Sequence, residues 1–324
     1  MITVRAYDYY GLDMSQINIT NLLYENVNYR TSFNIEFLFG INSSDYFSGT
    51  GFSYDSSGLP ISGTIYNYRQ ILNNHFYATV DGMSVPVTTF VNYVLSGDNL
   101  GAISYILSGN DSIIGGINGD YLMGYIGSDT VSGGSGNDTI DGGGGNNYLR
   151  GDDGNDYIFG GSDFDDINGN KGEDTIGGGP GGDWLVGGQG NDLITSTGGS
   201  DILYGNLGND TLNGGPDNDL IRGGQGDDVL SGGSGNDWLS GDRGSDTFTG
   251  GAGADIFHTF GDAGIDRVID FNLSEGDRVQ LDPGTVYTVS QVGADTVINM
   301  TGGGQMILVG VQMSTLTSGW IFGA

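Results

Sequence analysis

Asp111, Asp120, Asp129 and Asp138 stand nine residues apart, and the series runs on without a slip through Asn147, Asp156, Asp165, Asp174, Asp183, Asp192, Asp201, Asp210, Asp219, Asp228, Asp237, Asp246 and Asp255. Two residues after each of these positions comes an apolar side chain, from Ile113 and Leu122 to Phe248 and Phe257. Two registers held together over so long a stretch define a repeat array rather than chance. A rank of carboxylates presents hard oxygens, which suit divalent cations. The balance of 9 Lys+Arg against 40 Asp+Glu, a formal charge of −31, agrees with that chemistry and disfavours nucleic acid and anionic membranes as partners.

The repeat unit reads G-G-x-G-x-D-x-U-x, with U apolar, as in Gly133–Asp141 and Gly232–Ser240. This pattern resembles the RTX family of calcium-binding nonapeptide repeats, over roughly residues 106–258 and seventeen repeats. The resemblance implies a mainly β fold, a right-handed parallel β-roll in which two consecutive repeats make one coil. Each repeat divides into a six-residue turn and a three-residue strand x-U-x, which points U one way and its neighbours the other. Glycines in the turn permit positive φ and let carbonyls converge. The sixteen aspartates, with turn carbonyls such as those of Gly133, Gly187, Gly223 and Gly232, are the expected calcium ligands. Calcium takes six to eight oxygens, more than one turn provides, so each ion is expected between stacked turns whose aspartates are 18 residues apart. The array then has room for up to about 15 ions.

Alternate repeats are not equivalent. The row containing Asp120, Asp138, Asp156, Asp174, Asp192, Asp210, Asp228 and Asp246 is nearly regular. In the other row Asn147 replaces Asp, Asp163 and Asp217 stand where the turn's second-half Gly is expected, and Ser196-Thr197 replaces the leading Gly pair. Weaker or missing ions are expected near these four places. On the sheet of this second row, Trp184, Ile202, Leu220, Trp238 and Ile256 recur at the outward position, flanked by Val186 and Tyr204. They should form an apolar stripe, covered by the chain's own terminal segments or by a partner.

Around the array lie two further zones. Residues 1–105 read as a small β-rich domain, with strand-like runs at Ile2–Tyr7, Gln16–Leu23, Ser32–Phe39, Gly63–Tyr68 and Phe76–Val80, breaks at Ile41–Asp45 and Asp55–Gly58, and a small sandwich as the simplest arrangement. One or two short helices are expected near residues 86–107, with Pro86 at a first helical position. Residues 259–324 read as a β-rich cap, with strands near Arg267–Phe271, Arg278–Leu281, Val286–Val289, Thr296–Met300 and Met306–Val311. The stretch Asp266–Leu281 is similar to the segment that follows the repeats in many RTX exoproteins. The uncharged end from Val297 to Ala324 resembles an uncleaved signal for type I secretion.

The chain has no cysteine, which excludes disulfides and Cys-based zinc or redox sites. It shows no basic-then-apolar leader at Met1 and no apolar run long enough for a membrane span. Neither His75 nor His258 starts an H-E-x-x-H motif, no G-x-S-x-G elbow occurs, and the acids Asp8, Asp13, Glu36, Asp45, Asp55 and Asp81 have no spacing that selects a catalytic pair. The expectation is a secreted, extracellular, non-catalytic calcium-binding protein, exported by type I machinery, acting in a matrix, in adhesion or at a cell surface. The alternative is a ligand-binding or catalytic domain in residues 1–105, for example one directed at a glycan or a protein partner, carried on the roll.

Residues 106–258 carry a net charge of −21. Stacked carboxylates without a counter-ion repel by about 1–3 kcal/mol per pair, and a core one residue wide offers little to offset that. The metal-free array is therefore expected to be unfolded and to gain β-structure on calcium addition, because binding free energy becomes folding free energy. A calcium titration followed by far-UV circular dichroism checks this; a β-rich spectrum in chelator at neutral pH contradicts it.

Overall fold

One apolar residue per nonapeptide makes a core only if successive coils stack in parallel. The computed structural model has that arrangement. It describes residues 109–323 and, ahead of them, the backbone of five strands, Thr3–Ala6, Phe33–Phe39, Ser43–Tyr54, Pro60–Leu72 and His75–Pro86. The chain divides into two compact units, Met1–Asp153 and Gly154–Ala324.

In the second unit, strands Asp166–Lys171, Trp184–Gln189, Ile202–Leu207, Leu220–Gln225, Trp238–Arg243 and Ile256–Thr259 follow one another in one parallel sheet. The register joins residues 18 apart, as in Leu185↔Leu203 and Leu203↔Ile221. The intervening strands, Tyr157–Ser162, Thr175–Gly177, Leu193–Thr195, Thr211–Pro216, Val229–Ser234 and Thr247–Ala252, make the second sheet in the same way. The chain thus forms a parallel β-roll, with sheets alternating at each nonapeptide. Many strands are six residues long rather than three. In Thr211–Pro216, pairing to Val229–Ser234 skips Gly214 and resumes at Gly215↔Gly233 and Pro216↔Ser234, so half of the expected turn still lies in register.

Every residue at the U position is buried. Ile158, Ile176 and Ile194 from one sheet and Ile167, Leu185 and Leu203 from the other have 0% exposure. Each such side chain contributes about 1.5–3 kcal/mol on burial. Toward the C-terminal end the core widens: Phe248 and Phe257 meet edge to face at 6.1 Å, and Phe257, Phe271 and Trp320 follow in contact.

In the first unit, Ser112–Ile114, Thr130–Ser135 and Tyr148–Asp153 repeat the parallel pattern, opposite Tyr121–Met123 and Thr139–Gly144. Thr3–Ala6 joins this roll to the rest of the unit. It pairs in parallel with Ser112–Ile114 on one side and antiparallel with His75–Pro86 on the other. His75–Pro86, Pro60–Leu72, Ser43–Tyr54 and Phe33–Phe39 continue outward as an antiparallel meander, so among the described residues these strands form one sheet rather than a sandwich. Ser43–Asp45, read as part of a break, begins a strand. Pro86 is the last residue of a strand, opposite Thr64, and not the first of a helix; its fixed φ and missing N–H fit a strand end as well as a helix start. The expected strand Gln16–Leu23 and the expected helices after Pro86 lie outside the described residues.

The parallel stack also runs on past the last nonapeptide. Ile265–Val268 adds to Thr247–Ala252, and Arg278–Leu281 adds to Ile256–Thr259. Beyond them the cap covers both sheets. Gln305–Leu308 pairs in parallel with Ile265–Val268, then Asp295–Met300 and Tyr287–Val292 follow antiparallel, while Ile321–Phe322 pairs with Arg278–Leu281. A solenoid end must be covered in some such way. Met306, Leu308, Ile298 and Trp320 are among the cap's buried apolar residues.

Phe257 sits where roll core and cap core meet. Phe257→Ala is expected to cost about 3–5 kcal/mol of calcium-loaded stability, whereas Phe159→Ala, at a 43% exposed position, should cost under about 1 kcal/mol. Thermal or denaturant unfolding in saturating calcium measures both.

Candidate metal centre

The first glycine of each turn is there for its missing side chain. A Cβ on Gly187 or Gly223 would collide with Oδ2 of the aspartate five residues later, Asp192 or Asp228. The same holds for Gly133 against Asp138 and Gly232 against Asp237. The aspartate therefore folds back over its own turn and aims one oxygen into it. The carbonyl of the next coil points to the same place. A Cβ on Gly205 would lie 2.6 Å from Gly223 O and closer still to Asp210 Oδ2; one on Gly169 would lie 2.8 Å from Gly187 O, beside Asp174 Oδ2; and Gly133 O and Asp120 Oδ2 crowd the same point at Gly115. Side-chain and main-chain oxygens from neighbouring coils converge there, as a hard-cation site requires.

The other carboxylate oxygen holds the coils together. Asp174 Oδ1 accepts the N–H of Asp156 at 2.9 Å, Asp192 Oδ1 that of Asp174 at 2.9 Å, and Asp210 Oδ1 that of Asp192 at 2.8 Å. The second row repeats this, as in Asp183 to Asp165 and Asp201 to Asp183. These aspartates thus donate their N–H groups to the aspartates 18 residues later, in both rows alike. An outer ladder runs in the reverse sense. The residue before the aspartate offers its side-chain oxygen to the N–H 18 residues later, as Asn191 does to Asn209 and Asn209 to Asp227. The sequence reading did not anticipate this second ladder.

With Oδ1 engaged, Oδ2 remains. In Asp129, Asp174, Asp183, Asp192, Asp210, Asp219, Asp228, Asp237 and Asp255 it is buried and meets no hydrogen-bond donor. A buried anionic oxygen in that position is costly without a cation. Accordingly burial, reinforced by the neighbouring aspartates, pushes Asp219 and Asp228 up to about 7, with Asp129 and Asp192 also about 7 and Asp174, Asp183 and Asp255 about 6. The backbone N–H donated to each carboxylate opposes the shift and does not cancel it. These orphaned oxygens, stacked in register beside convergent carbonyls, fit a row of divalent cations.

The irregular positions are now separable. Asn147 keeps the coil ladder, accepting Asp129 N–H at 3.0 Å through Oδ1, but its second atom is an NH₂ that donates to Gly145 O. It serves the fold and offers a donor where an oxygen would face a cation. Asp163 and Asp217 take φ of 74° and 75°, the left-handed conformation that Asp tolerates among non-glycine residues. Ser196 is buried and donates its hydroxyl to Gly179 O at 3.2 Å, engaging a turn carbonyl.

Two residues of this system escaped the nine-residue register. Asp266 continues the first row, accepting Asp246 N–H, and Asp277 continues the second, accepting Asp255 N–H at 3.0 Å. Their spacings are 20 and 22 because the turns before them are longer. In both, the second oxygen is already satisfied: Asp266 Oδ2 by the Thr259 hydroxyl and Asp277 Oδ2 by Asn272 N–H. They end the ladders with protein donors. The surviving D-x-U triplets, Asp266-Arg267-Val268 and Asp277-Arg278-Val279, were the signal that could have found them.

The stripe residues Trp184, Ile202, Leu220, Trp238 and Ile256 are neighbours on adjoining strands. Its C-terminal end is covered by the chain itself, where Trp238 stacks on His258 and donates Nε1–H to Gln280 of the cap strand at 2.9 Å. At the other end Trp184 is 45% exposed. Among the described residues no helix is long and apolar enough to cross a membrane.

A family model described as the RTX calcium-binding nonapeptide repeat matches the chain in overlapping copies from residue 107 to residue 268. No curated protein matches. Among solved structures, the chain is similar to the extracellular lipase LipA from Serratia marcescens, at 21% identity over 67% of this chain and a TM-score of 0.29. The match spans 38% of that lipase's length.

The raised carboxylates set the pH behaviour of the metal-free roll. An aspartate near 7 when folded and near 3.8 otherwise favours the fold while protonated. Its contribution is complete below the unfolded value and is lost as pH rises through the folded one. In chelator, β-structure is therefore expected to increase between pH 8 and pH 5, and the increment produced by calcium to shrink over the same range. Circular dichroism across that range, with and without calcium, reads both.

Proposed function

Because the chain belongs to the RTX calcium-binding nonapeptide repeat family, we propose that its two aspartate rows are the calcium ligands and that ion binding outside the cell folds it. The orphaned, buried Oδ2 atoms carry this reading. The residues that would hold the ions are Asp111, Asp120, Asp129, Asp138, Asp156, Asp165, Asp174, Asp183, Asp192, Asp201, Asp210, Asp219, Asp228, Asp237, Asp246 and Asp255, with turn carbonyls such as those of Gly133, Gly187, Gly223 and Gly232. Bound calcium would place positive charge beside the buried Oδ2 atoms of Asp129, Asp174, Asp183, Asp192, Asp210, Asp219, Asp228, Asp237 and Asp255, which meet no donor.

The chain's own residues then divide the work. The leading glycines leave the space into which each carboxylate folds. Oδ1 ties each coil to the one before it, and the U side chains exclude water from between the sheets. Asn147 leaves a gap in its row without breaking the coil ladder. Asp266 and Asp277 close the rows with protein donors, so the last coil needs no ion from beyond it.

Export by type I machinery fits this chemistry. Calcium is scarce in the cytosol, which keeps the array extended and threadable, and plentiful outside, where it folds. The role proposed is non-catalytic, in a matrix, in adhesion or at a cell surface, with residues 1–105 as the part that meets a glycan or protein partner.

With Oδ2 of Asp228 as a ligand, Asp228→Asn should remove one or two ions and raise the calcium midpoint of folding. Asn147→Asp should add binding capacity. Ion counting by equilibrium dialysis, with calorimetric titration, tests both; an unchanged count in Asp228→Asn rules out the assignment.

A further inference from the structure

A second kind of site lies on the outer face of the sheet that carries the stripe. It is a groove of about 580 Å³ lined by residues from Asn206 to Asp282. Gly224, in register between Asn206 and Asp242 on the adjoining strands, is among its lining residues. One rim is the row Leu207, Gln225 and Arg243, one residue from each of three neighbouring strands. The far wall is Phe260 with Asp282.

The electrostatics of this groove differ from those of the rest of the chain. Arg222 is held by Asp242, through two guanidinium nitrogens at 2.7 and 3.0 Å on one carboxylate oxygen. Ser240 donates its only hydroxyl proton to Asp242 Oδ1 at 2.8 Å, so it can only accept from His258 Nδ1, at 3.1 Å. His258 Nε2 faces Asp282 Oδ1 at 3.1 Å, another acceptor. Arg243 is exposed and has no carboxylate within ion-pair distance among the described residues. Arg222 is thus engaged by Asp242 and Asp282 faces His258, which leaves Arg243 as the groove's unpaired guanidinium on a chain of formal charge −31.

We propose that this groove binds a hexuronate, a sugar bearing one carboxylate, with Arg243 as its anchor. An unpaired guanidinium fork matches a carboxylate. One unpaired guanidinium suits a monoanion better than a dianion. The amides of Asn206 and Gln225 offer donors and acceptors for hydroxyls, and the apolar surfaces of Leu207 and Phe260 suit the C–H face of a ring. The volume falls in the usual range for a small-molecule site. Trp238, stacked at 5.2 Å on His258, provides a local optical reporter.

The test is a titration of the full chain in saturating calcium with glucuronate, followed by tryptophan fluorescence and calorimetry. Saturable binding is expected, weakened about tenfold or more in Arg243→Ala, with the circular dichroism spectrum and calcium count of that variant unchanged. Neutral glucose should bind at least tenfold more weakly than glucuronate. Three results overturn the proposal: no saturation by glucuronate, equal affinity in Arg243→Ala, or binding of succinate or inorganic phosphate as tight as that of glucuronate, which means that charge alone is read. A failure here leaves the calcium assignment standing, since that is read by the ion count in the same samples.

Discussion

The roll depends on a carboxylate whose two oxygens have different duties. Oδ1 is a structural acceptor that spans 18 residues of chain to reach the N–H of the preceding coil. In nine of these aspartates, Asp174, Asp192 and Asp228 among them, Oδ2 is buried without a donor. The first duty is fulfilled by protein alone; the second is not. Folding these coils therefore creates, at each such carboxylate, an electrostatic debt that protons or cations must meet. Calcium dependence follows from that geometry, since the fold that makes the ladder is the same fold that desolvates the other oxygen.

Other features follow from this constraint. Glycine leads all but one of the turns from Gly160 on, with Ser196 the exception, because the carboxylate occupies the place of its Cβ, as at Gly187 and Gly223. The core can stay one residue wide because the coils are also tied along their edges by two side-chain ladders running in opposite senses. The ends need different chemistry. At the C-terminal end Thr259 and Asn272 supply the donors that the last carboxylates require, and Phe271 and Trp320 close a core that would otherwise be open. The same cap strand covers part of the stripe through Gln280, and Asp282, the residue after it, lines the groove beside it.

Substitutions within the array show which duty each position serves. Asn147 meets the first and not the second, because an amide has one acceptor oxygen where a carboxylate has two. Asp266 and Asp277 meet the first and satisfy the second internally. A worn repeat is thus a repeat in which hydrogen bonding and ion binding have come apart, and the coil survives because the ladder does.

The repeat phase alone determined the parallel stacking, the inward row from Ile113 to Phe257 and the aspartate rows, because a strict period forces equivalent residues into equivalent environments. It also marked Asn147 as different. What it could not determine depends on contacts between residues far apart in sequence. The division of labour between the two carboxylate oxygens is set by which N–H lies 18 residues away in the folded coil. The continuation of the rows through Asp266 and Asp277 is hidden by longer turns that break the phase while preserving the register. Pro86 belongs to a strand because a partner strand lies opposite it, at Thr64. The groove exists only because strands bearing Arg222, Arg243 and His258 are laid side by side and the cap returns Asp282 beside them, a juxtaposition that no local pattern encodes.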